Sequence, residues 1–111
     1  MDKQEQYRKL IKQILIEHAQ HKFSYGDIKI ETIFDDEHNH YQLFHIGWHG
    51  NRHVYGCVMH LEIENGKIWI HHDGTEIGVA NELVELGVPK DHIVLAFHAP
   101  YKRQFTDFAV E

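Results

Sequence analysis

Residues 67–86 constrain the fold more than any other part of the chain. Residues 67–72 alternate aliphatic and polar side chains, which is the period of a half-buried β-strand. Asp73-Gly74-Thr75-Glu76 interrupts that strand, and a helix over about residues 76–86 follows. Asp73 or Thr75 is placed to cap this helix, and Glu76 completes a capping-box spacing with Asp73. The segment therefore predicts a strand joined directly to a covering helix.

The clearest turn signal, Asn65-Gly66, lies immediately before this strand. Asn-Gly readily supplies the positive φ angles of a type I′ turn, so residues 52–64 and 67–72 are expected to form an antiparallel hairpin. Two earlier segments, residues 28–34 and 41–48, also read as strands. Residues 93–97 form a short apolar segment that predicts either a strand or an extended buried segment.

Residues 2–21 have the periodicity of an amphipathic helix. Its apolar stripe consists of Tyr7, Leu10, Ile11, Ile14, Leu15 and His18. Gly87 ends the second helix and Pro89 prevents it from restarting. The predicted fold class is α+β, an antiparallel four- to five-stranded meander sheet covered by the N-terminal helix and by a second helix after the sheet. A chain of 111 residues predicts a single domain, residues 1–111.

The formal net charge of −6 disfavours stand-alone binding to duplex DNA, which rests on Lys and Arg neutralising phosphates. No run of 18 apolar residues is present, so no membrane-spanning segment is expected. The single Cys57 has no partner for an internal disulfide. A reduced, cytoplasmic setting is the simplest expectation.

Twelve histidines invite a metal-site hypothesis. The candidate ligands are His38 with His40, His45 with His49, and His71-His72-Asp73. Adjacent residues of a strand point to opposite faces, so His71 and His72 do not converge, and no C-x-x-C pair supports them. We therefore predict no metal site and no cofactor. The alternative is a small metal-dependent or nucleic-acid-processing enzyme that uses the histidines with Asp73 and Glu76.

No catalytic residue is predicted. Cys57 lies in the apolar run Gly56-Cys57-Val58-Met59, where a free cysteine is more often a small buried hydrophobe than a nucleophile. Helix capping explains the carboxylates of Asp73 and Glu76 without any acid–base role. Neither a dinucleotide-binding glycine pattern nor a lysine-bearing phosphate loop is present.

Two segments are candidates for binding a protein partner, the turn at residues 73–76 and the C-terminal segment. Aromatic and arginine side chains are enriched at protein interfaces, although packing within the chain would explain the same residues. The candidate contact residues are Asp73, Thr75, Glu76, Tyr101, Arg103, Phe105 and Phe108.

Several short blocks, in their order along nearly the whole chain, carry a resemblance to a known family. They include Tyr25-Gly26-Asp27, Gly47-Trp48, Val54-Tyr55-Gly56, Lys67-Ile68-Trp69-Ile70, Asp73-Gly74-Thr75-Glu76, Gly87-Val88-Pro89-Lys90, Ile93-Val94-Leu95-Ala96-Phe97 and Phe105-Thr106-Asp107-Phe108-Ala109. In these blocks the sequence resembles the XisI-like proteins, named for an excision controlling factor of the fdxN element in cyanobacteria.

The resemblance implies a non-enzymatic factor that controls developmental excision of a DNA element by site-specific recombination. It also implies a XisH-like protein partner, with only indirect association with the recombinase and DNA. The family supplies no catalytic residues to transfer. Direct architectural DNA binding is a third hypothesis, and an antiparallel sheet with an uncovered edge makes a homodimer plausible.

Overall fold

The computed structural model describes residues 3–20, 26–75 and 78–111. The chain begins with helix α1 (Lys3–Ala19), and four strands follow: β1 (Asp27–Asp35), β2 (His40–His49), β3 (Arg52–Glu64) and β4 (Lys67–Asp73). After β4 come helix α2 (Val79–Glu85), a 3₁₀ turn (Lys90–His92), strand β5 (Ile93–Leu95) and the short helix α3 (Pro100–Arg103). Within these ranges, no helix is long and apolar enough to cross a membrane.

The strands form one sheet in the order β1-β2-β3-β4-β5. The first four pair antiparallel as a meander, whereas β5 joins β4 in parallel. The predicted fold class is confirmed, and the direction of β5 follows from its connection. A crossover through α2 returns the chain to the same end of the sheet, which is how parallel neighbours are joined. The apolar segment predicted at residues 93–97 is a strand over its first three residues.

Helix α1 covers one face of the sheet, which we call the helix face. The stripe predicted for this helix is confirmed, since its buried members are Tyr7, Ile11, Ile14 and Leu15. The sheet contributes the buried side chains Tyr41, Leu43, Met59, Leu61, Ile63, Ile68 and Ile70. Burying each large apolar side chain contributes about 1.5–3 kcal/mol relative to leaving it in water, so this layer dominates stability.

Basic residues of α1 are engaged by the sheet and its first loop. Arg8 Nε donates to the hydroxyl of Tyr41 at 2.9 Å, and Arg8 also pairs with Glu5. Lys12 Nζ lies 2.9 Å from the carboxylate of Asp36. These two cations are therefore paired within the chain, which leaves them poorly suited to neutralise the phosphates of a nucleic acid.

Two turn predictions are confirmed by backbone geometry. Asn65 and Gly66 have φ of 54° and 74°, as a type I′ hairpin requires. Gly87, with φ of 101°, ends α2, and its N–H donates to the carbonyl of Val84 at 3.0 Å. The N–H of Val88 reaches the carbonyl of Leu83 at 3.0 Å, which completes a Schellman motif.

The start of α2 differs from the prediction. The helix begins at Val79, after Gly78 with φ of 89°, and not at about residue 76. The predicted capping box, with Asp73 as the N-cap, is therefore wrong, because Asp73 is separated from the first helical residue by five others. Glu76 lies outside the described residues.

Candidate functional site

Asp73 and Thr75 form a hydrogen-bonded cap in front of α2. One carboxylate oxygen of Asp73 accepts from the N–H and the hydroxyl of Thr75, at 2.9 and 2.6 Å. The other accepts from the N–H of Val79 at 2.8 Å, and Thr75 Oγ1 accepts from the N–H of Gly78 at 3.1 Å. Both side chains thus satisfy backbone donors that the helix itself leaves unpaired. The structure places these two predicted contact residues in a structural role, while Glu76 lies outside the described ranges.

The C-terminal segment, residues 96–111, presents three aromatic side chains to solvent, and Phe97 is 50% exposed. Tyr101 is 67% exposed and Phe105 is 81% exposed. Pro100 opens α3, where its fixed φ suits the first helical position, and Tyr101 follows it directly. Exposed apolar side chains mark interaction surfaces where they form a contiguous patch.

Arg103 and Phe108 hold the same segment against the rest of the molecule. Arg103 Nε donates to the carbonyl of His98 at 3.1 Å, and its other nitrogens reach the carbonyls of Val110 and Ala96 at 3.3 and 3.4 Å. Its guanidinium also lies over the ring of Trp69, 5.7 Å from the centroid. Phe108 is half-buried and packs against the hydrophobic core.

The structure therefore divides the predicted contact residues into two groups. Asp73, Thr75, Arg103 and Phe108 make interactions within the chain, whereas Tyr101 and Phe105 are exposed. The two segments also lie at different parts of β4, since Arg103 packs over Trp69 near its start and Asp73 is its last residue. The turn at residues 73–76 and the C-terminal segment therefore do not form a single site.

A third surface was missed by sequence reasoning. The face opposite α1, which we call the open face, carries Ile33, Phe44, Trp48 and Tyr55 on β1, β2 and β3, here called the aromatic patch. Trp48 is 53% exposed and Tyr55 is 68% exposed. The ring centroids of Phe44 and Tyr55 lie 5.8 Å apart. The available signal was that β2 carries apolar residues at both alternating sets of positions, which indicates contacts on both faces.

The open face also carries a histidine–glutamate cluster made of His40, His60, Glu62 and His71. His40 Nδ1 lies 2.9 Å from His60 Nε2, and His71 Nε2 lies 2.7 Å from a carboxylate oxygen of Glu62. His40 Nε2 is 3.6 Å from the other oxygen of Glu62. The three histidine rings also lie close together, with centroids 5.0–6.4 Å apart.

The cluster differs from the histidine groups that the sequence suggested. His60 was not among the candidates, and His38 instead pairs with Asp35 in the β1–β2 loop at 2.8 Å. Burial, followed by the nearby charges of His71 and His40, lowers the pKa of His60 below the ordinary histidine value of 6.5. Across residues 3–20, 26–75 and 78–111, no group of three or more His, Cys, Asp or Glu side chains is arranged to hold a metal ion.

Cys57 lacks the surroundings of an activated thiol. Its Sγ donates to the carbonyl of Met59 at 3.2 Å, and burial raises the pKa of the thiol above its ordinary value of 9.0. A nucleophilic cysteine requires the opposite shift, because the thiolate is the reactive form.

Similarity to known proteins extends over nearly the whole chain. The family model described as XisI protein matches residues 1–110. The chain belongs to the XisI family. No curated protein matches it.

Solved structures of XisI proteins share its fold. A XisI-like protein from Anabaena variabilis ATCC 29413 is 42% identical, with a TM-score of 0.91 over 97% of this chain and 99% of that one. The fdxN element excision controlling factor XisI from the same organism is 32% identical, with a TM-score of 0.84 over 99% of this chain and 100% of that one. The family and fold expected from the sequence blocks are therefore confirmed.

Proposed function

We propose that this XisI-family protein is a non-enzymatic controlling factor for excision of a DNA element, and that it acts by binding a companion protein. The observation that carries the proposal is the contrast within the C-terminal segment. Arg103 and Phe108 fix the segment on the domain, while Tyr101 and Phe105 project from it into solvent. Exposed aromatic side chains on a fixed backbone bind at low entropic cost, which suits a protein-binding surface.

The chemistry of the described residues supports a role without catalysis. The pKa of the Cys57 thiol is raised, and the oxygens of Asp73 are occupied by the cap of α2. The histidine–glutamate cluster pairs its members with one another. An enzyme that used Asp73 would have to break the cap of α2 to free a carboxylate oxygen.

Charge supports a protein partner over nucleic acid. The net charge is −6, and the α1 cations Arg8 and Lys12 are paired with Glu5 and Asp36. Affinity for duplex DNA depends on cations that are free to replace counterions. We propose a XisH-like protein as the partner, so that the recombinase and DNA are reached indirectly. The unpaired Cys57 suits the reducing conditions of the cytoplasm, which we propose as the location.

Co-purification of the tagged chain with its XisH-like neighbour, at low and at moderate salt, tests the proposal. A stoichiometric complex that survives moderate salt is expected, because apolar contacts are little screened. Retention of DNA in place of the protein, lost steeply as salt rises, would overturn the proposal and favour direct DNA binding.

A further inference from the structure

The two edges of the sheet are finished in different ways. At one edge, β5 has three residues, and the C-terminal segment closes it through a bridge between Val94 and Ala109. The N–H of Ala109 donates to the carbonyl of Ile93 at 2.9 Å. At the other edge, β1 runs for nine residues and pairs only with β2 within the described chain. With respect to the described residues, the backbone of this strand is therefore unpaired along its outer side at alternate positions.

Strand β1 lacks several of the features that prevent an edge from pairing, although it does carry charged side chains. It contains no proline, it is not short, and it pairs with β2 in one unbroken register from Asp27 to Asp35. Its exposed charged residues in mid-strand are Lys29 and Glu31, which lie two positions apart and so share the open face. They carry opposite signs. Neither makes an ion pair or a side-chain hydrogen bond with the described parts of the chain.

Two-fold symmetry converts this spacing into a self-complementary surface. Two copies of β1 can pair antiparallel about a two-fold axis perpendicular to the sheet. The residue numbers of every facing pair then add up to the same even number, which is twice the number of the residue on the axis. With Ile30 on the axis, Lys29 faces Glu31 of the partner subunit, and the same pair recurs by symmetry. An axis through Lys29 or through Glu31 would instead oppose identical charges, which is unfavourable in cross-strand pairs.

Two further registers would also place Lys29 opposite a carboxylate. With Ile28 on the axis, Lys29 would face Asp27 of the partner subunit, but only residues 27–29 of the nine-residue strand would then pair. With Thr32 on the axis, Lys29 would face Asp35 of the partner subunit. In this chain the carboxylate of Asp35 already accepts the N–H groups of Glu37 and His38 and pairs with the His38 ring. Glu31 carries none of these competing bonds. The register centred on Ile30 is therefore favoured.

We infer that β1 is a homodimer interface, in which two copies of this chain join their sheets antiparallel about Ile30 through reciprocal Lys29–Glu31 pairs. The two copies of α1 then lie on one side of a continuous sheet, and the two open faces lie on the other. The inference concerns a second copy of the chain and does not depend on the companion protein.

Sedimentation equilibrium of the purified chain, with charge-swapped variants, tests the inference. The wild type is expected to dimerise. Lys29→Glu and Glu31→Lys should each weaken the dimer by roughly tenfold, because each single swap sets like charges across both symmetric pairs. The double swap should restore the affinity. Lys9→Glu and Glu85→Lys make the same charge changes at exposed positions on α1 and α2, and they should leave the dimer unchanged.

Three results would overturn the inference. The first is a wild-type chain that stays monomeric across the accessible concentrations. The second is a dimer that is indifferent to both single swaps, which would show that another surface holds it together. The third is a double swap that fails to recover the affinity although circular dichroism shows an intact fold, because reciprocal pairing requires that recovery.

Discussion

The two faces of the sheet differ in what their side chains do. On the helix face, residues such as Tyr41, Leu61 and Ile70 are buried under α1 and α2 and form the core. On the open face, the same strands present the aromatic patch and the histidine–glutamate cluster, with Trp48 and Tyr55 more than half exposed. Strands β1 to β4 therefore contribute to the core with one set of alternating residues and to a partly exposed surface with the other.

Because of this difference, buried side chains that stabilise the fold alternate with more exposed side chains along a single strand. Leu61 and Glu62 are adjacent in β3, yet the first is fully buried while the second pairs with His71 on the opposite face. After the β-bulge at Val58, substitutions two residues apart in β3 should thus have similar effects, and neighbouring substitutions should not. The bulge shifts the alternation, so Tyr55 lies on the open face although Leu61, six residues on, lies on the helix face.

The largest effect is expected from truncating the helix face. Leu61→Ala removes a fully buried side chain and should lower the free energy of unfolding by about 2–5 kcal/mol, since it forfeits apolar burial and leaves a cavity. Tyr55→Ala, on the same strand but on the open face, should change it by no more than about 0.5 kcal/mol. Urea denaturation measures both. Equal losses would mean that the open face is part of the core.

A smaller effect is expected where β4 passes into α2. Asp73→Ala leaves the N–H groups of Thr75 and Val79 without their acceptor and should cost about 1–2 kcal/mol. Asp73→Asn keeps one side-chain oxygen and should cost less. Urea denaturation again provides the readout, with Asp107→Ala on the exposed C-terminal segment as control. An Asp73→Ala variant as stable as the wild type would show that this carboxylate does not hold the start of the helix.

The smallest effect is a pH dependence confined to the open face. The pKa of His60 is lowered in the folded chain by burial and by His71 and His40, so the unfolded chain binds more protons near this pKa. Stability from this group is fully present above the ordinary value of 6.5 and is lost as the pH falls toward the folded pKa. Below pH 6.5 the free energy of unfolding should fall less steeply with decreasing pH in His60→Gln than in the wild type. The difference in slope should correspond to less than one bound proton.

His53→Gln makes the same substitution at an exposed position beside Trp48 and serves as the matched control. Chemical denaturation at a series of pH values gives the slopes. If the free energy of unfolding falls equally steeply with decreasing pH in His60→Gln and in the wild type, His60 does not contribute to the pH dependence of stability.

Local sequence signals predicted the helix face and its turns well. Asn65-Gly66 fixed the hairpin because few residue pairs accept two consecutive positive φ angles, and Gly87 ended α2 for a related reason. The stripe of α1 predicted the core contacts through its period. Each of these features depends on residues close together in the chain.

The open face could not be predicted in the same way, because its groups are assembled across strands. The β3–β4 register shifts between His60 and Leu61, which leaves His71 without a partner of its own on β3 and close to His60. No local pattern encodes that shift. The role of Arg103 could not be predicted either, because its carbonyl acceptors come within hydrogen-bond distance only when the C-terminal segment folds back on itself.

The central claim, that the C-terminal segment of this XisI-family protein binds a companion protein, is tested most directly by calorimetric titration with the XisH-like protein. The double variant Tyr101→Ser with Phe105→Ser should raise Kd by about 30-fold or more, as loss of an aromatic hot spot does. Its melting midpoint should move by no more than about 3 °C, because both side chains are largely exposed. Ile16→Gln, an exposed site on α1, is the matched control and should bind like the wild type. Unchanged affinity of the double variant would contradict the claim.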